Sequence, residues 1–312
     1  MSALPKGSGA FFFQVPKRGI QEKELRDVLE ESEVEYEYRI NKDTMKSTLL
    51  SPTNLFIFLE GIFTNVFFGV LNLVILPYIQ SPPKNISPSN SSLFILIFGV
   101  PGALFGTLYL AKLSDKYGSK NIKSRITFII ISISSSFLFF VLLFVLPLPN
   151  LTPAEGNNMG ILFDYPIFWL MGIILFFSRT VMSVFRINQQ PLIQEINLPE
   201  AQGTIRSWNQ LVEIASFGSG PVIAGWLLEN SNNDYLGSML QMTWFIIPGI
   251  LFWFFTYKTV ERDKNRISNI LHDRAVELNG FRGDPKDVLN KSKNRNDIPS
   301  KLHRQENNAN GA

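Results

Sequence analysis

Residues 92–146 read SLFILIFGVPGALFGTLYL AKLSDKYGSKNIKSR ITFIIISISSSFLFFVLLFVL. The centre, 111–125, holds one aspartate and five cations, Lys112, Lys116, Lys120, Lys123 and Arg125, while neither flank carries a charge. Crossing the hydrocarbon core as an α-helix takes about 20 mostly apolar residues. Each flank has that length. A helix of a soluble domain would alternate apolar and polar residues with a period near 3.6 instead. The stretch therefore reads as a span, a short polar turn and a return span.

Working outward, four more stretches have the same character. The six spans run over approximately Pro52–Tyr78, Ser92–Leu110, Ile126–Leu146, Pro166–Phe185, Trp208–Leu228 and Leu236–Tyr257. The expected fold class is an all-α polytopic membrane protein with six transmembrane helices. Its parts are a charged segment 1–50, a transmembrane domain 51–258 and a tail 259–312. A net charge of +3 over 312 residues gives no reason to expect nucleic acid as a partner. No charged segment followed by a short apolar core and a cleavage site opens the chain, so no signal peptide is expected. GAFFF at 9–13 is too short to span. After Tyr257, Ile267, Ile270 and Leu271 share one face, which predicts a short interfacial helix. Beyond about Arg282 the composition is that of a disordered tail.

Lys and Arg are distributed unevenly between the connections. The 111–125 turn has five, and Arg186 and Arg206 fall near the expected loop 186–207. On the other side, 80–91 has only Lys84, and 147–165 and 229–235 have neither Lys nor Arg. The positive-inside rule puts both termini in the cytoplasm. Three sequons, at Asn85, Asn90 and Asn150, fall on the expected outer side.

Ionisable residues inside spans are costly and mark candidate functional positions. Glu60, Arg179 and Glu213 lie roughly 12, 10 and 8 Å from the cytoplasmic end of their helices at a rise of about 1.5 Å per residue. They share one slab of the bundle. Two uses are open: a proton- or substrate-coupled group facing a cavity, with Glu60 the better candidate, or a structural ion pair, with Arg179 and Glu213 the better pair. Gly61, Asn65, Gly69 and Asn72 repeat along one face of the first span, bordered by Glu60. A small-residue stripe serves helix packing, and its two asparagines favour a water-filled path. Gly102 and Gly106, and Gly220, Pro221 and Gly225, read as packing and bending positions. Chemistry is otherwise absent from the pattern. His272 and His303 lie in the tail, no cluster has metal-ligand spacing, and no glycine-rich phosphate loop with its lysine is present. No catalytic residue, metal or cofactor is expected, and the chain does not read as an enzyme.

The polar turn has its own order. Ala111-x-x-x-Asp115-Lys116-x-Gly118-Ser119-Lys120 resembles the signature between the second and third helices of each half of major facilitator superfamily carriers, Gly-x-x-x-Asp-Arg/Lys-x-Gly-Arg/Lys-Arg/Lys. Ala111 replaces the first glycine and Ser119 one cation. Gly118 is where a tight turn needs a permissive backbone. Arg179, followed by Glu195-Ile-Asn-Leu-Pro199, resembles the arginine of a fourth helix and the Glu-x(6)-Arg element after it. Gln202 stands where that arginine is expected, with Arg206 one turn on as a substitute. Gly220-Pro221-Val-Ile-Ala224-Gly225 is similar to the fifth-helix Gly-Pro-x-x-Gly-Gly pattern. Residues 16–50 resemble the linker that precedes a seventh helix, so the chain looks like the C-terminal six-helix half of such a carrier. Linker and first span are also similar to spinster-like members.

The resemblance implies alternating access and a small-molecule or lipid-like substrate. It also implies a second six-helix half, supplied by a separate chain or a homodimer, in the lipid bilayer of the cell membrane. Asp115, Lys116, Gly118, Lys120 and Glu195 would form a cytoplasmic latch. Glu60, Asn65, Asn72, Arg179 and Glu213 would line the substrate or proton path. The alternatives are a non-transporting scaffold or regulatory partner, and a product truncated from a longer gene.

Overall fold

The computed structural model describes residues 18–31 and 36–280. The GAFFF stretch, the start of the linker-like segment and the tail beyond Gly280 lie outside the described residues. Within them there are helices α1 (Lys23–Glu31), α2 (Lys42–Leu49), α3 (Pro52–Gln80), α4 (Pro88–Gly118), α5 (Ile122–Val145), α6 (Pro153–Gly156), α7 (Met159–Asp164), α8 (Pro166–Glu195), α9 (Pro199–Asn230) and α10 (Tyr235–Gly280), and no strand. Six of them, α3, α4, α5, α8, α9 and α10, are long and apolar enough to cross a membrane. The chain is an all-α, multi-pass membrane protein.

Four of the six begin with proline in the first turn, where a missing N–H costs nothing. Ser51, Ser87 and Asn121 cap α3, α4 and α5 by accepting from backbone N–H groups. Two π-helical turns, Ile95–Gly99 and Gly106–Leu110, interrupt α4. Val100 N–H donates to Ile95 O and Ala111 N–H to Gly106 O, each across five residues. The first turn ends two residues before Pro101, which has no N–H for an ordinary i−4 bond.

Two compact units share the chain, one made of residues up to Tyr38 with those from Ser268 on, the other of Arg39–Ile267. In the smaller unit, Leu25, Val28 and Leu29 of α1 are buried, as are Leu271, Ala275 and Leu278 of α10. Ser268 Oγ donates to Glu24 Oε1 (2.5 Å), Tyr38 OH to Glu277 Oε2 (2.9 Å), and Arg274 Nη1 to the Tyr36 hydroxyl. The expected short helix after Tyr257 is thus a continuation of α10, and its apolar face is covered by this chain.

In the larger unit the spans cross at glycines. A Cβ on Gly69 would fall on Phe217 O and the Gly220 Cα, and one on Gly220 would fall on Gly69. These two residues let α3 and α9 touch backbone to backbone. Gly102 and Gly106 of α4 sit against the carbonyls of Phe176 and Thr180 on α8. Thr180 Oγ1 spans that crossing, within 2.9 Å of Gly102 O and 2.8 Å of Phe176 O. By contrast, a Cβ on Gly218 or Gly225 would meet nothing within 4 Å. The glycine pattern of α9 is a packing surface at Gly220 and open at Gly225. Pro221 lies inside α9, which continues through it to Asn230.

The helix ends differ from the hydropathy reading in one place that matters. Span four does not stop at Phe185 but continues to Glu195, and span five starts at Pro199 rather than Trp208. The connection is 196–198, without a cation; Arg186 and Arg206 are helical. The unevenness of loop charge therefore rests on 111–125.

Candidate functional site

Glu60 lies on the face of α3 that also buries Ile57, Gly61, Thr64 and Phe67. It is 1 % exposed. Neither carboxyl oxygen has a hydrogen-bond partner, and neither do Thr64 Oγ1, Trp253 Nε1 and Thr256 Oγ1. The Thr64 hydroxyl, the Trp253 indole and the Glu213 carboxyl face it, outside hydrogen-bonding geometry. Trp253 is held there by α10, its ring edge-on to Phe185 of α8 at 6.1 Å. Antiparallel packing of α10 on α3 sets the depth: Thr53 Oγ1 meets Thr259 Oγ1 at 2.9 Å, and Phe56 and Phe63 stack with Phe252. Spans one, five and six bring side chains to this one carboxyl. Buried polar atoms normally find partners, so the Glu60 carboxyl, with only the Thr64 hydroxyl and the Trp253 indole near enough to donate, stands out inside an apolar bundle.

Glu213 belongs to a second arrangement. Its Oε1 accepts from Gln189 Nε2 of α8 (2.9 Å) and from Asn209 Nδ2 one turn back on α9 (2.6 Å). Its Cγ lies 3.5 Å from where a Gly61 Cβ would be, so the bare Gly61 makes room for this side chain. The expected Arg179–Glu213 ion pair is not formed. Glu213 faces Gly61 of α3, whereas the Arg179 side chain lies over Gly99 of α4, 3.6 Å from a Cβ placed there.

Asn65 and Asn72 each donate to a carbonyl of their own helix one turn back, Gly61 O (2.8 Å) and Phe68 O (2.7 Å). Asn65 is half-buried and Asn72 exposed.

At the end of the bundle that carries the quoted turn, Arg125 is the centre. Its side chain is 6 % exposed, with Nη1 3.4 Å from Asp115 Oδ1 and Nε 3.5 Å from Glu195 Oε1. Lys264 Nζ reaches the other oxygen of Glu195 at 2.9 Å, and Lys123 Nζ pairs with Glu261 Oε2 at 2.6 Å. Asp263 Oδ2 accepts the Thr53 N–H at the start of α3 (3.0 Å). Beside it, Asn54 and Asn197 exchange amide hydrogen bonds of 2.7 and 3.1 Å, and Ser114 donates to Asn188 (2.5 Å). Five helices are tied at this end, almost wholly by side chains.

Three expectations for the motif change here. Gly118 has no left-handed backbone; a Cβ there would stand 3.4 Å from Arg125, so what the position provides is room for that buried side chain. Lys116 and Lys120 are exposed and make no ion pair among the described residues. Glu195 takes Arg125 and Lys264, not Arg206, and Gln202 Nε2 instead donates to the last carbonyls around α8, Gln194 O and Asn197 O.

In the sequence nothing separates Arg125 from the loop lysines, and no motif marks Asn54, Thr64, Asn188, Gln189, Asn197, Asn209 or Trp253. A run of Asn and Gln in a helix that hydropathy had ended early was the available signal. No family model, no curated protein and no solved structure matches this chain.

Proposed function

We propose that the chain is one six-helix half of a secondary carrier of the major facilitator type, moving a small solute by alternating access once paired with a second half. The observation that carries the reading is the meeting of two motifs about 80 residues apart in sequence. Asp115 of the α4–α5 turn and Glu195 at the end of α8 share one buried guanidinium, Arg125. A network of charged pairs at one end of a bundle is the kind of element that two conformations can make and break. The unpartnered Glu60 supports the same reading. As a neutral acid it is tolerated in that setting, and losing the proton would leave an uncompensated charge. Proton exchange on Glu60 is the coupling step of this reading.

A second half is part of the proposal. Half of the apolar window of α3 is buried within the chain (50 %), against 22 % in α4 and in α9. The open glycines Gly218 and Gly225 fall on that little-covered α9. Both termini would be cytoplasmic, and the membrane the plasma membrane.

The test reconstitutes the full chain, alone and with any six-helix product encoded beside it, after its detergent-corrected mass has been measured. A stable pair or homodimer that accumulates solute under a pH gradient is the expected result. Glu60→Gln should abolish pH-driven accumulation and leave exchange. A chain that stays a monomer and moves nothing, or an accumulation whose pH dependence Glu60→Gln does not alter, would respectively defeat the carrier and the coupling.

A further inference from the structure

Arg179 and Arg186 stand seven residues apart on α8, two turns of helix, and therefore on one face. Arg179 is half-buried and Arg186 exposed. Neither guanidinium has a hydrogen bond or an ion pair among the described residues, and Arg186 lies close enough to act on Arg179 as a like charge. Gln190, one turn further along the same face, keeps a buried side-chain oxygen without a partner. Guanidinium groups keep their charge in proteins, and an unpaired one inside a span is costly. At roughly 1.5 Å per residue, Arg186 lies about 13 Å before the end of α8 and Arg179 about 24 Å before it. Arg179 is at mid-depth, where a side chain does not reach the headgroups.

The carboxylates inside the spans are already placed elsewhere. Glu60 is enclosed between α3 and α10, and Glu213 is bonded to Gln189 and Asn209. A second copy of this chain would bring the same two and no others. Where the second half is another copy of this chain, the compensating negative charge therefore comes from a bound molecule. We infer that Arg179 and Arg186 bind a multivalent oxyanion, a solute carrying a phosphate or two carboxylates, on the open face of α8. The spacing of about 10 Å along the helix suits two anionic groups, or one large one held from both sides, and planar guanidinium groups bind such oxygens in bidentate fashion. This inference rests on the carrier reading for its purpose, since it names the substrate class of that path, but not for its test.

The test is binding by the purified full chain in a neutral detergent. Its unfolding temperature is followed against inorganic phosphate, succinate and glucose, with ionic strength held constant by sodium chloride. Phosphate or succinate should give a saturable rise and glucose none. Arg179→Gln and Arg186→Gln should each weaken the apparent affinity about tenfold or more, and Arg186→Lys should retain part of it. The wild-type series stands even where a variant does not fold. No saturable shift with either anion would overturn the inference. So would a shift that survives in the double Gln variant, or one obtained only with phosphatidylglycerol vesicles, which would make the site a lipid headgroup site. Because no transport is read, a chain that binds anions and moves nothing defeats the carrier reading and leaves the site. A chain that transports without anion preference does the reverse.

Discussion

The two ends of the bundle are held by different chemistry. At the end with the 111–125 turn, α3, α4, α5, α8 and α10 are joined by charged and amide side chains around Arg125, Glu195 and the Asn54–Asn197 pair. At the other end, the 81–87 and 146–158 connections hold each other by main-chain groups. Leu151 N–H donates to Pro83 O (2.9 Å) and Ser87 N–H to Gly156 O (3.0 Å), while the side-chain amides of Asn85 and Asn90 close on Leu151 O and Gly156 O. Its one cation, Lys84, lies 3.9 Å over the Tyr78 ring, and partial burial holds its ammonium below the usual lysine range. Side-chain pairs can be exchanged for others with little backbone movement, while a main-chain lock has to come apart as a unit. The contrast is that of an end held by exchangeable side-chain pairs and an end held by its main chain.

Two glycines give the largest test of that contrast. A Cβ on Gly156 would overlap the Asn85 carbonyl, which is fixed backbone, whereas one on Gly118 would meet the Arg125 side chain at 3.4 Å, which can give. Gly156→Ala should cost about 1–3 kcal/mol or more, as overpacking against rigid atoms does, and Gly118→Ala less than about 1 kcal/mol. Chemical unfolding in mixed micelles reads both. Equal costs would remove the distinction between the ends.

The distinction was partly visible in the chain itself. Apolar runs near 20 residues gave all six spans, since lipid demands them whatever the bundle does with its interior. Hydropathy failed where helices continue on polar residues that pair with neighbours, as at Asn188 with Ser114 and Gln189 with Glu213. That is why α8 was expected to end at Phe185. The close approaches at Gly102, Gly106 and Gly220 are legible as small-residue spacing, but spacing does not say which face a neighbour covers, and Gly225 turned out open. Arg125 and Lys116 are the same kind of letter in a count of loop cations. One is buried between two carboxylates and the other exposed, and only the folded contact between positions 115, 125 and 195 separates them. Two sequons likewise lie at amides spent on main-chain carbonyls, leaving Asn150 exposed.

A smaller effect sharpens the comparison through salt. Lys264 and Glu195 form a 2.9 Å pair with side chains 40 % and 29 % exposed, so screening leaves it worth at most about 1 kcal/mol. Raising the salt from about 0.05 to 0.5 M shortens the Debye length to roughly 4–5 Å. Amide exchange around 192–197 and 261–267 should rise by up to about fivefold, and that of 83–90 and 151–158 should stay unchanged. Lys264→Gln should give the salt-induced rate already at low salt. A salt response as large at the 151–158 connection would mean that charge holds both ends.

The smallest effect is the titration of the fixed end. Glu155 closes a capping box on α6: its Oε2 accepts from the Thr152 N–H (2.7 Å) and hydroxyl (2.8 Å), and its own N–H donates back to Thr152 Oγ1 (3.3 Å). The backbone amide first, then the hydroxyl, hold the Glu155 carboxyl below its ordinary value of 4.5. A depressed value means that the ionised form is favoured by folding. The contribution is therefore complete above about 4.5 and is lost as the pH falls through the lower value in the folded chain. Amides 152–158 should loosen only in that acid window, after correction for the intrinsic exchange rate, and Glu155→Gln should remove the step without altering exchange at neutral pH elsewhere. Exchange that already loosens between pH 5 and 8 in the wild type would contradict the assignment, because no part of this box titrates there. Across the physiological range the Glu155 carboxylate stays ionised and its capping box stays closed.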